Sequence, residues 1–170
     1  MQAPESVTAP VGTDAGRPGE RYGCVVGDLP VLLPAGVQVE YVADAAVHRI
    51  ARAPARVVGL AQLRGLPVPV IDPARDLQQA PPGVRRLHLL VLGTGAEAGA
   101  LVVDGPPVPL DGPWQPAEAS PPLAVPFHPA LEAPLARGAA PGGALWWPLR
   151  WPRCLEVLVS ADADPGCAGA

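Results

Sequence analysis

Val57-Val58-Gly59-Leu60-Ala61-Gln62-Leu63-Arg64-Gly65-Leu66-Pro67-Val68-Pro69-Val70-Ile71-Asp72 is the stretch on which the fold is decided. It holds two short apolar segments joined at Leu63-Arg64-Gly65, with a single cation at the joint. Short segments rich in Val, Leu and Ile, parted by a glycine that tolerates unusual backbone angles, read as a hairpin or a bulged strand pair. Pro69 puts the second segment at a sheet edge or at an interrupted ladder. Arg64 is what the hairpin leaves unexplained. Either its long side chain snorkels to solvent, or it is held at the joint for a partner.

Outward from this pair, further strands follow from apolar runs bounded by turn residues. Residues 22–26 and 29–33 flank the Gly27-Asp28 turn, and residues 86–92 and 98–103 flank a loop at 93–97. Residues 37–42, which carry Glu40, are extended or partly helical, and residues 43–53 are ambiguous up to Pro54. Asp72-Pro73 suits the start of a short helix through Asp76 and Leu77, because Asp caps and Pro fits the first turn. Residues 131–136 and 144–149 read as a last strand pair, with a closing helix over 151–159. Residues 112–126 are too rich in proline to assign. The organisation expected is a disordered leader over 1–20, one domain over 21–160 and a disordered tail over 161–170.

Composition narrows the function classes. A chain of 170 residues fits one domain with a sizeable core. The formal net charge is −4 and the cations are scattered arginines without a basic stripe, which speaks against nucleic acid. The 25 prolines and 19 glycines would suggest disorder in a sequence without periodicity. Alternating apolar runs persist between them, so a mainly β fold with many turns is expected. Three cysteines without a C-x-x-C pair imply neither a disulfide framework nor a zinc knuckle, and point to a reducing compartment. With no basic-then-apolar leader and no apolar run of about 20 residues, the expectation is a cytoplasmic protein without membrane insertion.

No chemistry-bearing cluster stands out. His48, His88 and His128 are far apart in sequence, so no metal or other cofactor is expected. Cys24 would need a neighbouring base to act as a nucleophile, and nothing in its surroundings activates it. Gly93-x-Gly95-x-x-x-Gly99 departs from the dinucleotide spacing and precedes a strand, so it reads as a hairpin loop. Trp146-Trp147-Pro148-Leu149-Arg150-Trp151 concentrates three of the four tryptophans, as core filling or as an interface.

From Glu40 to Asp72 the chain resembles the CheW-like domain family, the adaptor modules of bacterial chemosensory arrays. The resemblance rests on an ordered series: Glu40, then Val47-His48-Arg49-Ile50-Ala51-Arg52-Ala53-Pro54, Val58-Gly59-Leu60, Gln62-Leu63-Arg64-Gly65 and Val68-Pro69-Val70-Ile71-Asp72. Gly99-Ala100-Leu101-Val102-Val103-Asp104 is similar to the family's later glycine-then-Val-Asp strand. Gln62 replaces the usual Asn, Pro73 stands where the family prefers Leu, and Gly105-Pro106-Pro107 follows where a second apolar strand is usual. The departures fall mostly in the second half. The resemblance implies a CheW-like fold of two packed SH3-like β-barrel subdomains with short helices, one near the C-terminus. It implies no catalysis and no cofactor. The partners implied are a chemoreceptor's cytoplasmic tip and a CheA-type histidine kinase, in flagellar or type IV pilus motility.

Under that resemblance the partner-binding candidates are Arg64, Glu40, Gly59, Gly65, Val58 and Leu63. Glu40 and Arg64 lie in separate segments that the family's fold brings together, where a carboxylate–guanidinium pair would shape a groove and leave arginine donors for a partner. The plainer reading is a surface ion pair of about 0–1 kcal/mol. Gly59 and Gly65 also suit turn or bulge geometry, and one set of Val58, Leu60, Leu63 and Leu66 must enter the core. The alternative functional reading is a divergent accessory module that has lost kinase coupling.

Overall fold

Leu89-Leu90-Val91-Leu92 is apolar at every position, a pattern that suits a strand covered on both faces. In the computed structural model both faces of this run are indeed buried. The structure describes residues 8–11, 21–54, 56–73, 84–118, 120–123, 128–138 and 144–160. Its strands are β1 (Thr8–Val11), β2 (Arg21–Val26), β3 (Leu29–Leu32), β4 (Val39–His48), β5 (Val57–Leu63), β6 (Leu66–Ile71), β7 (Val84–Leu92), β8 (Gly99–Val102), β9 (Val108–Leu110), β10 (Trp114–Pro116), β11 (Leu135–Arg137) and β12 (Leu145–Pro148). One helix, α1 (Arg153–Ser160), follows the last strand.

The first sheet runs β1-β4-β5-β6-β8-β7, and β4 also pairs with β7. Strands β4, β5, β6, β8 and β7 therefore close into a barrel, with β1 attached outside the ring. The second sheet, β10-β11-β12-β3-β2-β9, stays open as a half-barrel. Side chains alternate between the two faces of a strand. Leu89 and Val91 accordingly point into the closed barrel with Val42, Val47, Val58, Ala61, Val68, Val70 and Ala100. Leu90 and Leu92 point the other way, with Val39, Ile71 and Leu101, and pack on Cys24, Val31, Trp147 and Leu149 of the half-barrel. Helix α1 buries Cys154 in this second core. Its Leu155 lies so close to Gly99 that a Cβ there would sit 2.6 Å from Leu155 Cδ2. The mainly β fold that the resemblance implies is the fold observed, with one barrel closed and the other open as a half-barrel.

Residues 57–63 and 66–71 form the expected hairpin. Leu63 pairs with Leu66, and the ladder continues through Gln62–Pro67, Ala61–Val68 and Leu60–Pro69. In a two-residue hairpin the flanking pair carries the hydrogen bonds and the pairs then alternate. Pro67 and Pro69 thus fall in the pairs without hydrogen bonds and aim their ring nitrogens away from β5. On that other side β8 joins β6 only at Val70 and Ile71, so the prolines displace no ladder bond.

Elsewhere the structure departs from the sequence reading. Residues 37–42 have no helical part, and β4 continues through the ambiguous segment to His48, past a register shift between Val42 and Ala45. Asp44, at φ 53°, absorbs the extra length there. The unassigned 112–126 segment contains β10, and the strand expected over 131–136 is β11 alone, with Leu131 making a single bridge to Leu149. The leader expected to be disordered contains β1. Strand β5 pairs with β4 only at Val47 and His48, and β1 satisfies the backbone groups left on that edge at Val39–Val42. The helix expected from Asp72-Pro73 runs into residues 74–83, which lie outside the described residues, as does the tail over 161–170. Asp72 itself is buried, and its backbone N–H donates to Arg56 O at 3.0 Å.

Leu90 belongs to the wall that both cores share. Leu90→Ala should therefore cost about 2–5 kcal/mol and lower the midpoint of one common urea transition. Two separate transitions, only one of them shifted, would contradict a shared wall.

Candidate functional site

The tip of the β5–β6 hairpin is a turn of two residues, Arg64 at φ 49° and Gly65 at φ 80°. Positive φ at both positions defines a type I′ turn, whose twist matches that of the flanking strands and which Asn-Gly or Asp-Gly usually fills. A Cβ on Gly65 would meet nothing within 4 Å, so the backbone angle alone calls for glycine there. Arg64 has no such freedom. A side chain with a Cβ in the left-handed region costs on the order of 1 kcal/mol.

From this strained position Arg64 reaches across to β4. Glu40 lies on the same face of β4 as Val42, two residues nearer the mouth of the closed barrel. Arg64 Nη2 stands 2.9 Å from Glu40 Oε2, with side-chain exposures of 68% and 13%. Both ion-pair partners named from the sequence are thus brought together, one nearly covered and the other mostly in solvent. Gly65 sits beside them in the turn, and Gln62 Nε2 approaches Gly65 O at 3.4 Å.

The other candidates sit differently. Leu63 is half-buried and packs against the barrel core, while Val58 is 5% exposed and part of that core. A Cβ on Gly59 would collide with the carbonyl of His48 on the neighbouring strand, so the glycine permits the close approach of β4. Gly59 also adjoins the register shift between Val57 and Gly59, which places Val58 and Gly59 both inward. Leu66, outside the sequence-derived set, is 58% exposed at the tip, next to exposed Pro67. It pairs with Leu63 across the turn, and of the two only Leu63 packs against the barrel core.

Two thiols and one imidazole among the described residues have defined surroundings. Burial pushes the Cys24 thiol up to about 12, with the Asp104 carboxylate adding to it. Burial alone takes Cys154 to about 12. A thiol protonated at neutral pH is a poor nucleophile. His88 Nδ1 is engaged by the Tyr41 hydroxyl at 2.8 Å, and the two rings stack at 6.0 Å. Among the described residues no group of His, Cys, Asp and Glu has the makings of a metal site, and no helix is long and apolar enough to cross a membrane. The tryptophan cluster divides: Trp147 fills the core, Trp146 lies across Gly23 on the half-barrel, and Trp151 packs beside Gly93 and Gly99.

A closed barrel packed on a half-barrel, with one short helix, is the architecture of a small mainly β domain. The chain belongs to the CheW-like domain family, which matches residues 23–131. Proteins of this family are non-enzymatic scaffolds of chemotaxis that interact with chemoreceptors and CheA. Among solved structures the chain is similar to the scaffolding protein TtCheW from Thermoanaerobacter tengcongensis, with 19% identity and a TM-score of 0.54 over 82% of this chain and 94% of that one. No curated protein matches the sequence.

The two buried thiols make a direct prediction. Cys24 and Cys154 should resist iodoacetamide at pH 8 in the native protein and react once it is unfolded in urea; rapid native alkylation of either would contradict their burial. Their folded values lie above the ordinary 9.0. The stability gained by keeping them neutral is therefore complete below pH 9 and is lost as pH rises toward 12.

Proposed function

We propose that the chain is a non-enzymatic adaptor that couples a chemoreceptor-type protein to a CheA-type histidine kinase in the cytoplasm, with flagellar or type IV pilus motility as the output. The receptor-facing surface is the hairpin tip and the barrel mouth: Arg64 and Glu40 at its centre, Gly65 and Leu63 beside them, and Val58 and Gly59 shaping the strand underneath. The observation that carries this reading is the strain at Arg64. A left-handed arginine loses about 1 kcal/mol to the turn, and a largely exposed ion pair returns about 0–1 kcal/mol. Backbone strain of this kind clusters at binding sites. Stability alone gives no reason for a guanidinium at this position, whereas recognition does: one nitrogen is spent on Glu40, and the rest of the planar donor set faces outward for a carboxylate or a backbone carbonyl of a partner helix. Exposed Leu66 adds an apolar contact of the kind that an amphipathic helix takes up.

The half-barrel favours a second reading, an accessory module without kinase coupling. Its outer strands β9 and β10 are three residues each and carry Pro109 and Pro116, while Pro30 lies within β3 and Pro148 ends β12. Co-purification separates the two: the adaptor retains a CheA-type kinase together with the receptor, and the accessory module retains the receptor alone.

Arg64→Asn tests the receptor-facing site without disturbing the fold, because Asn-Gly is the preferred filling of this turn. The variant should keep or slightly raise Tm while weakening binding of a chemoreceptor cytoplasmic-tip fragment at least tenfold by calorimetry. Unchanged affinity would remove the receptor assignment from this surface.

A further inference from the structure

Strand β4 has two edges, and their occupancy is uneven. Strand β7 runs along one of them from Val39 to His48, apart from the register shift. On the other, β5 covers only Val47 and His48, and β1 covers Val39–Val42. Strands β1 and β5 thus share one edge end to end, with the hairpin tip turning away between them. Glu40, the residue that Arg64 grips, is paired in the β1 ladder with Pro10.

The geometry points to β1 as a displaceable strap. We propose that the β4 edge at Val39–Val42 is a docking site for an extended antiparallel strand, that residues 8–11 fill it in cis, and that this filling holds back a receptor helix pair approaching Glu40 and Arg64. Strand β1 is four residues long, ends the sheet and pairs with β4 alone. Its hydrogen-bonded pairs with β4 are two, Val11–Val39 and Ala9–Tyr41, because Glu40 and Val42 turn their main-chain groups toward β7. The ladder that joins it to β4 is made of main-chain bonds, a kind that another extended segment can also form. Without it, β4 presents a row of unpaired N–H and C=O groups next to the charged pair, the type of edge that proteins cover. The strap therefore protects the edge in the free protein and competes for the rim when a partner arrives. The gating step rests on the receptor-facing reading of Arg64 and Glu40; the strand dock does not.

Three measurements on the full chain, on a variant lacking residues 2–11 and on Arg64→Asn separate these statements. A further variant, Thr8→Gly, Ala9→Gly and Val11→Gly together, keeps the chain length and serves if the truncation fails to fold. Hydrogen exchange of the Val39 and Tyr41 amides, which face β1, should quicken at least tenfold in the truncated or the triple-glycine chain, while those of Glu40 and Val42, which face β7, stay protected. A labelled synthetic peptide of residues 5–14 should bind that chain, slow the exchange again and ignore the full-length protein. A receptor cytoplasmic-tip fragment should bind the strap-less chain several-fold more tightly than the full chain. Unchanged exchange, or no peptide binding, overturns the strand dock. Equal receptor affinity with and without the strap, while Arg64→Asn still weakens binding, overturns the gating and leaves the receptor reading standing. Full receptor affinity in Arg64→Asn overturns the receptor reading and the gating with it, and the exchange and peptide results then decide the dock by themselves.

Discussion

The wall made by β4, β7, β8 and the end of β6 carries apolar side chains on both faces, and neither core is complete without it. Val42, Val47, Leu89, Val91, Val70 and Ala100 fill the closed barrel from one side of this wall. Val39, Leu90, Leu92, Ile71 and Leu101 cover the half-barrel from the other. Because strand side chains alternate with a period of two, a slip of one residue in β7 would send each set into the wrong core. The register is therefore fixed twice over. An open sheet such as the half-barrel, with outer strands of three residues, gains its stability from this floor rather than from its own ladders.

Such a wall also explains why the site lies where it does. Strand β4 must serve a tight barrel at its far end and the second core at its near end, and the irregularity at Asp44 lets it turn between the two. Beyond that point β5 cannot follow, so the hairpin tip leaves the ladder and projects over the barrel mouth. The main-chain edge it abandons has to be covered by something else. Glu40 sits at this divergence, close enough to the tip for a 2.9 Å contact although its strand no longer pairs with β5 there.

Much of this was legible in the residues and some was not, for physical reasons. The hairpin at 57–71 could be read to the residue because its alternation and its Gly65 both act locally. The end of β4 could not, since Ala43-Asp44-Ala45-Ala46 is as suited to a helix as to a strand and becomes extended only through pairing with β7. Strands β9 and β10 have Pro109 and Pro116 within three residues each, which hides them from any periodicity. Strand β1 is set by an edge that β5 leaves open, a fact of topology that residues 8–11 do not carry. In the site, the meeting of Glu40 and Arg64 came from the family resemblance. The inward position of Val58 depends on a register shift at Gly59 that inverts the simple alternation. The strain at Arg64 is the most local of the missed features: a pair of strands separated by two residues favours a type I′ or II′ turn, and both types put positive φ on the first of the two, which here is Arg64.

That constraint bears on how such a site keeps its shape. A guanidinium on a flexible stem ordinarily loses rotamer freedom, on the order of 2 kcal/mol, when a partner fixes it. Here the turn dictates the direction in which the stem leaves the backbone, and Glu40 holds one nitrogen in place. Glu40 is itself only 13% exposed and rooted in the shared wall. Part of the ordering is thus complete before any partner arrives, which is preorganisation in the sense that matters for affinity. Replacing Glu40 by glutamine would leave the turn and its strain intact but release that tether. If the proposed receptor docks here, the loss of its affinity by calorimetry would be smaller than that from Arg64→Asn and mainly entropic, because the arginine donors remain available and only their fixed orientation is gone.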